Sequence, residues 1–327
     1  MGKRFMIESI DPCRRLRRAA AGLLALAFAA AVPLPGHATP PPPQQHFATA
    51  EAAAEALNRV LQSGDPVAMH AVLGAGSEKV ISSGDKVADA AQRAKFLESY
   101  AAAHTLAAES DGKMVLSIGP NAWPLPIPIV KDGAGWFFDT AAAAQEIVDR
   151  RIGRNELLTI RTLLAAVAAQ QDYFERVQAG TGTGAYAQRV ASTPGMQDGL
   201  YWDAAEGEPQ SPLAPLIDQA REDGYPGAVT AKGTQAAYHG YLFRLLLKQG
   251  AYAPGGAKPY VQDGKMTGGF AFIAWPAEYN NSGIYTFIAD KDGVVFQKDL
   301  GEDTGKHAAA IHSFNPDTSW ARIDIVD

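Results

Sequence analysis

The stretch from Asp139 to Val177 constrains this chain most: it has no proline and carries the longest helical repeat in the sequence. Apolar side chains recur at Leu157, Ile160, Leu164, Val167, Phe174 and Val177, mostly three or four residues apart. That spacing turns one stripe of a helix toward a core. Alanine is frequent, which suits a helix interior because it loses no side-chain freedom there. Asp139 and Thr140 are types whose side-chain oxygen accepts a free N–H of the first turn, so the helix is expected to start at them. Gly153 interrupts the pattern, since a glycine inside a helix costs about 1 kcal/mol against alanine. The expectation is a kink at Gly153, or a break with Asn155 capping a second helix.

Arg150, Arg151 and Arg154 lie at the middle of this stretch. Two readings stand beside each other. Glu146, Asp149 and Glu156 are close enough along a helix to form surface pairs worth a few tenths of a kcal/mol each. Alternatively, the guanidinium groups form a site for an anion or for a partner's carboxylate.

Residues 1–38 have the layout of a secretory signal. Arg14, Arg15, Arg17 and Arg18 precede an uncharged run from Ala19 to Val32, and Gly36-His37-Ala38 offers the small residues read by signal peptidase. The run is too short for a confident membrane span. The paired arginines also fit a twin-arginine route less well than the general one. Cleavage would leave a chain without cysteine, held by its core alone. It would also leave 23 basic against 33 acidic side chains, because six of the 29 basic and two of the 35 acidic residues lie in the segment. Such a balance argues against nucleic acid and anionic membrane surfaces as partners. A periplasmic or secreted location follows, with no stable membrane span after cleavage.

Residues 39–46, with Pro40 to Pro43, read as a stiff tether. Residues 47–138 read as an N-terminal α+β subdomain. Thr49 caps a helix ended by Gly64, Asp65-Pro66 starts another, and Asp85 to Tyr100 is a third. Strands follow at Thr105–Glu109, Met114–Ile118 and Trp136–Phe138. The proline-rich segment from Trp123 to Val130 is expected at a sheet edge, because proline donates no ladder bond. Residues 139–327 read as the long helix, a short helix at Pro212–Glu222, and strands at Tyr238–Leu247, Phe270–Trp275, Gly283–Ala289 and Val294–Lys298. Thr304 to His312 reads as a last helix. The class is α+β: a long central helix packed on antiparallel sheets.

Signatures of chemistry are scarce. The spacing Gly180-x-Gly182-x-x-Ala185 matches a relaxed dinucleotide fingerprint, but a helix precedes it where a strand is needed. No cofactor is therefore expected. No metal site is expected either: the histidines are scattered and no H-E-x-x-H occurs. Asp290, Asp292, Asp299, Glu302 and Asp303 could gather oxygens around calcium, or simply solvate turns. No G-x-S-x-G elbow occurs, and paired-carboxylate hydrolysis is left open because any two acids can meet in space.

Several stretches together resemble a known family. They are Ser82-Ser83-Gly84-Asp85, Trp123 to Val130, Trp136 to Thr140, Arg150 to Leu157, Asp198 to Trp202, Ser211-Pro212-Leu213, and Gly268 to Ile288 with Asp299-Leu300-Gly301. The chain resembles the bacterial exported family catalogued as domain of unknown function 2950. The resemblance implies compartment and architecture but no mechanism. The order from Asn155 through Gly240-Tyr241, Ala274-Trp275-Pro276 and Thr286-Phe287 is also similar to type IV pilin and pseudopilin heads, which implies a pilin-head-like C-terminal part.

The leading expectation is a non-enzymatic envelope or secreted protein that binds another macromolecule. Candidate binding residues are Arg150, Arg151, Arg154, Asn155, Glu156, Asp198, Tyr201 and Trp202; Arg, Tyr and Trp dominate interface hot spots. The alternatives are an envelope hydrolase using paired carboxylates on glycan or peptide, and a small-ligand or calcium-binding protein.

Overall fold

In the computed structural model the described residues are 43–324, save 226–228, 231–232 and 235, with backbone alone for 229–230 and 233–234. The export signal expected over residues 1–38 lies outside the described residues. The described end of the expected tether is docked: Gln44 Nε2 donates to Phe138 O at 2.8 Å and Leu73 O at 3.1 Å, and Phe47 exchanges two backbone hydrogen bonds with Trp136.

Four helices come first: α1 (Ala50–Ser63), α2 (Pro66–Leu73), α3 (Glu78–Ile81) and α4 (Lys86–Ala102). Their starts are set locally. Thr49 Oγ1 accepts from Ala52 N at 3.1 Å, Asp65 Oδ1 from Val67 N at 2.9 Å, and Asp85 Oδ1 from Val87 N and Ala88 N at 3.1 and 3.0 Å. Each bond satisfies an amide that the first turn leaves without an intrahelical acceptor.

An antiparallel sheet follows, built from β1 (His104–Ser110), β2 (Lys113–Ile118), β3 (Trp123–Pro124), β4 (Ile129–Asp132) and β5 (Gly135–Phe138) in the order β1-β2-β4-β5, with β3 on β2. The segment expected at the edge is at the edge only in its first part, where Trp123 and Pro124 pair with β2 alone. Its prolines stop at Pro128, and Ile129 and Val130 then pair with β2 on one side and β5 on the other. Ala53, Leu57, Val72, Leu116, Ile129 and Phe138 form the buried cluster between these helices and this sheet.

Helix α5 runs unbroken from Ala144 to Thr181, 38 residues and about 57 Å at 1.5 Å per residue. It starts later than its sequence suggests. Asp139 Oδ1 serves Ala142 N in the preceding turn, and the Thr140 hydroxyl donates to Leu73 O at 2.6 Å. The expected kink at Gly153 is absent. Gly153 is exposed with open space around it, while Arg151, Ile152 and Asn155 are buried, so tertiary packing outweighs the local cost of the glycine. Asn155 caps nothing.

The remainder comprises α6 (Ala214–Glu222), β6 (Val229–Thr230), β7 (Gly233–Thr234), β8 (Tyr241–Leu246), β9 (Lys248–Gln249), β10 (Lys258–Pro259), β11 (Val261–Gln262), β12 (Lys265–Met266), β13 (Ala271–Pro276), β14 (Tyr285–Asp290), β15 (Val295–Asp299), α7 (Thr304–Ala310) and β16 (Ala321–Arg322). Seven strands make one antiparallel sheet in the order β16-β15-β14-β13-β8-β7-β6, and β9–β10 and β11–β12 are two-residue ribbons. β13 and β14 are buried on both faces, and α5 packs on both of them. Leu163, Leu200, Tyr241, Ile273 and Phe287 belong to this second buried cluster. The observed class is α+β, with one long central helix and antiparallel sheets.

Candidate functional site

The eight residues singled out from sequence fall into two places along α5. The first is its middle. Arg151 is 9% exposed; its Nη1 donates to Lys79 O at 2.7 Å and to Asn281 Oδ1 at 2.8 Å, and its Nη2 to Val80 O at 3.4 Å. Asn281 Nδ2 in turn donates to Glu278 Oε2 at 2.7 Å and Ser82 O at 3.1 Å. Asn155 Nδ2 donates to Ser282 O at 2.9 Å, and Glu156 Oε1 accepts from Ile284 N and Tyr285 N at 3.0 and 3.1 Å. Burial holds the Arg151 guanidinium below its usual pKa range, with Arg154 adding to the effect and Asp89 and Glu278 opposing it. This junction ties α3, α5 and the β13–β14 loop together, with Arg151 and Asn155 buried and Glu156 half-buried. Arg150 is exposed and paired with Glu146 one turn earlier. Arg154 alone of the three is exposed without a hydrogen bond or ion pair among the described residues.

A second buried knot adjoins the first and was not legible in advance. Asp85, 3% exposed, caps α4 through Oδ1 while its Oδ2 accepts from the Tyr225 hydroxyl at 2.8 Å and from Gly240 N at 2.9 Å. Burial, then the Asp85 carboxylate, pushes the Tyr225 hydroxyl far up its scale, so it stays a donor. His239 and Gly240 form a tight turn between Tyr238 and Tyr241, with φ 51° and 76°. A Cβ on Gly240 would sit 2.7 Å from Asn155 Nδ2, so glycine is required there. Burial lowers the His239 pKa, and Arg154 lowers it further against Asp223 and Asp85. The His-Gly dipeptide ahead of a strand is the signal that could have shown this turn.

The second place is the C-terminal end of α5, where the loop from Asp198 to Trp202 packs. Tyr201 N donates to Val190 O and Ser192 N to Tyr201 O, both at 2.8 Å. Gly199 crosses so close to this strand that a Cβ would lie 2.7 Å from Ser192 N. Asp198 accepts from Thr193 N at 2.7 Å and from the Thr193 hydroxyl at 2.8 Å, with Arg189 Nη1 at 3.5 Å. Burial raises its pKa, but those hydrogen bonds and Arg189 outweigh burial and the net shift is downward. The Tyr201 hydroxyl donates to Asp203. Arg221 donates to the same Asp203 at 3.2 Å and lies 5.4 Å from the centre of the Tyr201 ring. The Trp202 indole N–H is buried without an acceptor.

Beside Asp198 opens a cleft of about 330 Å³, lined among others by Tyr173, Tyr186, Arg189, Lys265 and Met266. None of these five was a candidate from sequence. They come from α5, the loop after it and β12, and no local pattern links them. Asp198 is the one carboxylate on the cleft's wall. The acids considered for calcium serve their own turns: Asp290 Oδ1 accepts from Asp292 N and Val294 N, both at 3.0 Å, and Asp299 Oδ1 from Gly301 N at 2.8 Å.

Neither a curated protein nor a solved structure matches the chain. A family model matches residues 44–323, nearly all of the described part. The stretches at Ser82–Asp85, Arg150–Leu157 and Asp198–Trp202 fall within that match and build the two buried knots and the cleft wall. The chain therefore belongs to the family described as Protein of unknown function (DUF2950).

Proposed function

We propose that this is an exported bacterial protein that binds another macromolecule of the cell envelope or its surroundings, without catalysis, through the face at the C-terminal end of α5. The carrying observation is the Tyr201–Asp203–Arg221 cluster, in which an aromatic ring and a guanidinium hold each other in place, on the loop that also sets Asp198 in the wall of an open cleft. Pre-set Tyr and Arg side chains lose little freedom on binding, which is why such types dominate hot spots. Export rests on the signal-like residues 1–38. The antiparallel sheet packed on the C-terminal half of α5 supports the likeness to a pilin head. Division into an N-terminal subdomain over 47–138 and a C-terminal domain from 139 is part of the same reading, supported by the two buried clusters.

The hydrolase alternative needs two carboxylates facing one space, about 5–10 Å apart. The cleft offers one, already occupied by Thr193 and Arg189. The test uses the chain without residues 1–38, sedimented with isolated cell envelopes. Wild type co-sediments, and the double variant Tyr201→Ala/Arg221→Ala loses co-sedimentation while circular dichroism shows that it is still folded. Equal sedimentation of both proteins overturns the assigned face. Release of soluble wall fragments during incubation overturns the non-catalytic reading.

A further inference from the structure

The walls of the cleft beside Asp198 carry an unusual surplus of unused donors. Lys265 Nζ makes no hydrogen bond or ion pair among the described residues. Arg189 spends only Nη1, on the Thr193 hydroxyl at 2.6 Å and Asp198 at 3.5 Å, and its Nε and Nη2 make no hydrogen bond among the described residues. The Tyr186 phenol makes no hydrogen bond among the described residues, but it interacts electrostatically with Lys291 and is not counted among the free donors. Asp198, the single acid on the wall, already accepts two hydrogen bonds from Thr193. The lining therefore carries one net positive charge, in a chain whose formal net charge is −6.

The cleft is also held rigid on both sides. Tyr186 N donates to Met266 O at 2.8 Å and Gln188 Nε2 to Gly264 O at 2.7 Å, which fastens one wall to the β11–β12 ribbon. The Tyr186 ring is wedged between Phe174 and Phe270, with ring centres 4.7 and 4.8 Å away. A Cβ on Gly184 would strike the Phe174 ring at 2.1 Å, so this segment cannot sit elsewhere without a change in α5 packing. A cleft whose walls are set before binding loses less freedom when a ligand arrives.

We propose that this cleft binds a carboxylate carried on a small apolar or aromatic-flanked group, the carboxylate lying between Lys265 and the free edge of Arg189. The proposal rests on the cleft being part of the binding face described above and names the chemistry that face selects. A guanidinium fork matches a planar carboxylate, and the ammonium adds a point charge. One net positive charge suits a monoanion better than a phosphate monoester, which carries about −1.5 to −2. Val177 and the Tyr173 and Tyr186 rings, all half-buried, supply the apolar walls for the flanking group. The volume lies at the small end for ligand clefts, so the terminal group of a ligand fits rather than a long stretch.

Two sources present this chemistry, a peptide C-terminus and an acidic sugar, and the probes separate them. Acetyl-Ala-Ala with a free C-terminus, its C-terminal amide, glucuronic acid, its methyl ester and inorganic phosphate are titrated into the chain lacking residues 1–38, with dissociation constants read from backbone amide NMR shifts. At least one free acid binds about tenfold or more tighter than its neutral counterpart, and the tighter acid names the source. Lys265→Ala weakens that acid about tenfold, Lys265→Arg restores most of the loss, and raised salt weakens it as well. Because Lys265 is exposed, the melting temperature of both variants stays that of wild type. Equal binding of acid and neutral form, tighter binding of phosphate, an unchanged constant in Lys265→Ala, or no binding up to about 10 mM each overturns the carboxylate assignment. Equal binding of acid and neutral form leaves the cleft as a binding face. Intact envelope co-sedimentation that still depends on Tyr201 and Arg221 likewise spares the broader reading when no probe binds.

Discussion

Arg151→Ala is the substitution that bears hardest on the structure. The guanidinium makes two short hydrogen bonds, at 2.7 Å to Lys79 O and 2.8 Å to Asn281 Oδ1, and a longer one at 3.4 Å to Val80 O. A hydrogen bond from a charged donor contributes about 1.5–3 kcal/mol, so the two short ones give about 3–6 kcal/mol. Taking the guanidinium out of water offsets part of this, which leaves a net loss of about 3 kcal/mol on truncation. For a domain of this size that is about 5–6 °C in melting temperature. Calorimetry or urea unfolding of Arg151→Ala, Arg151→Met and Arg151→Lys separates the causes. Methionine refills the space without donors and should lose nearly as much as alanine. Lysine keeps the charge but reaches fewer acceptors and should fall between. A drop under about 1 °C for Arg151→Ala would refute the reasoning, and loss of envelope binding with unchanged stability would return Arg151 to the interaction surface.

Two further outcomes follow from buried groups. Thr286 Oγ1 is fully buried in β14 without a partner, and valine has the same shape, so Thr286→Val should stabilise by about 1 kcal/mol; a lower melting temperature would contradict this. His239 has a folded-state pKa below 6.5 because burial disfavours its charged form, so the unfolded chain binds the extra proton. Its contribution to stability is complete above pH 6.5 and is lost as pH falls from there toward the folded pKa. His239→Asn, which tolerates the left-handed backbone, should flatten that part of a melting-temperature profile, and an unchanged slope would refute the assignment.

Local signals carried much of the fold. Thr49, Asp65 and Asp85 cap where capping chemistry says they should, and Asp292-Gly293 turns β14 into β15. The misreadings share one cause, which is that distant contacts outweigh local preference. Gly153 does not bend α5 because its neighbours Arg151, Ile152 and Asn155 are pinned from outside the helix. Trp123 to Val130 is an edge strand only at Trp123–Pro124, because its prolines end just where two-sided pairing begins at Ile129. The candidate residues show the same limit. Arginine, asparagine and glutamate grouped at one helix turn look like a surface site from sequence. Their hydrogen-bond partners are as many as 130 positions away, and Arg151 and Asn155 are buried. The cleft was invisible for the converse reason: Tyr186, Arg189 and Lys265 are ordinary residues of loops until the fold sets them face to face.

The junction at Arg151 also bears on the order in which the chain can be completed. Its acceptors lie 72 residues before it and 130 after it. A chain synthesised from its N-terminus has Lys79 and Val80 in place early, while the loop holding Asn281, Ser282 and Ile284 arrives late. Until that loop docks, the guanidinium, amide and carboxylate at the middle of α5 keep water on the loop's side, and they exchange that water for partners only when the loop arrives. Non-local closure of this kind slows folding and leaves the incomplete chain open to proteolysis until its last third arrives.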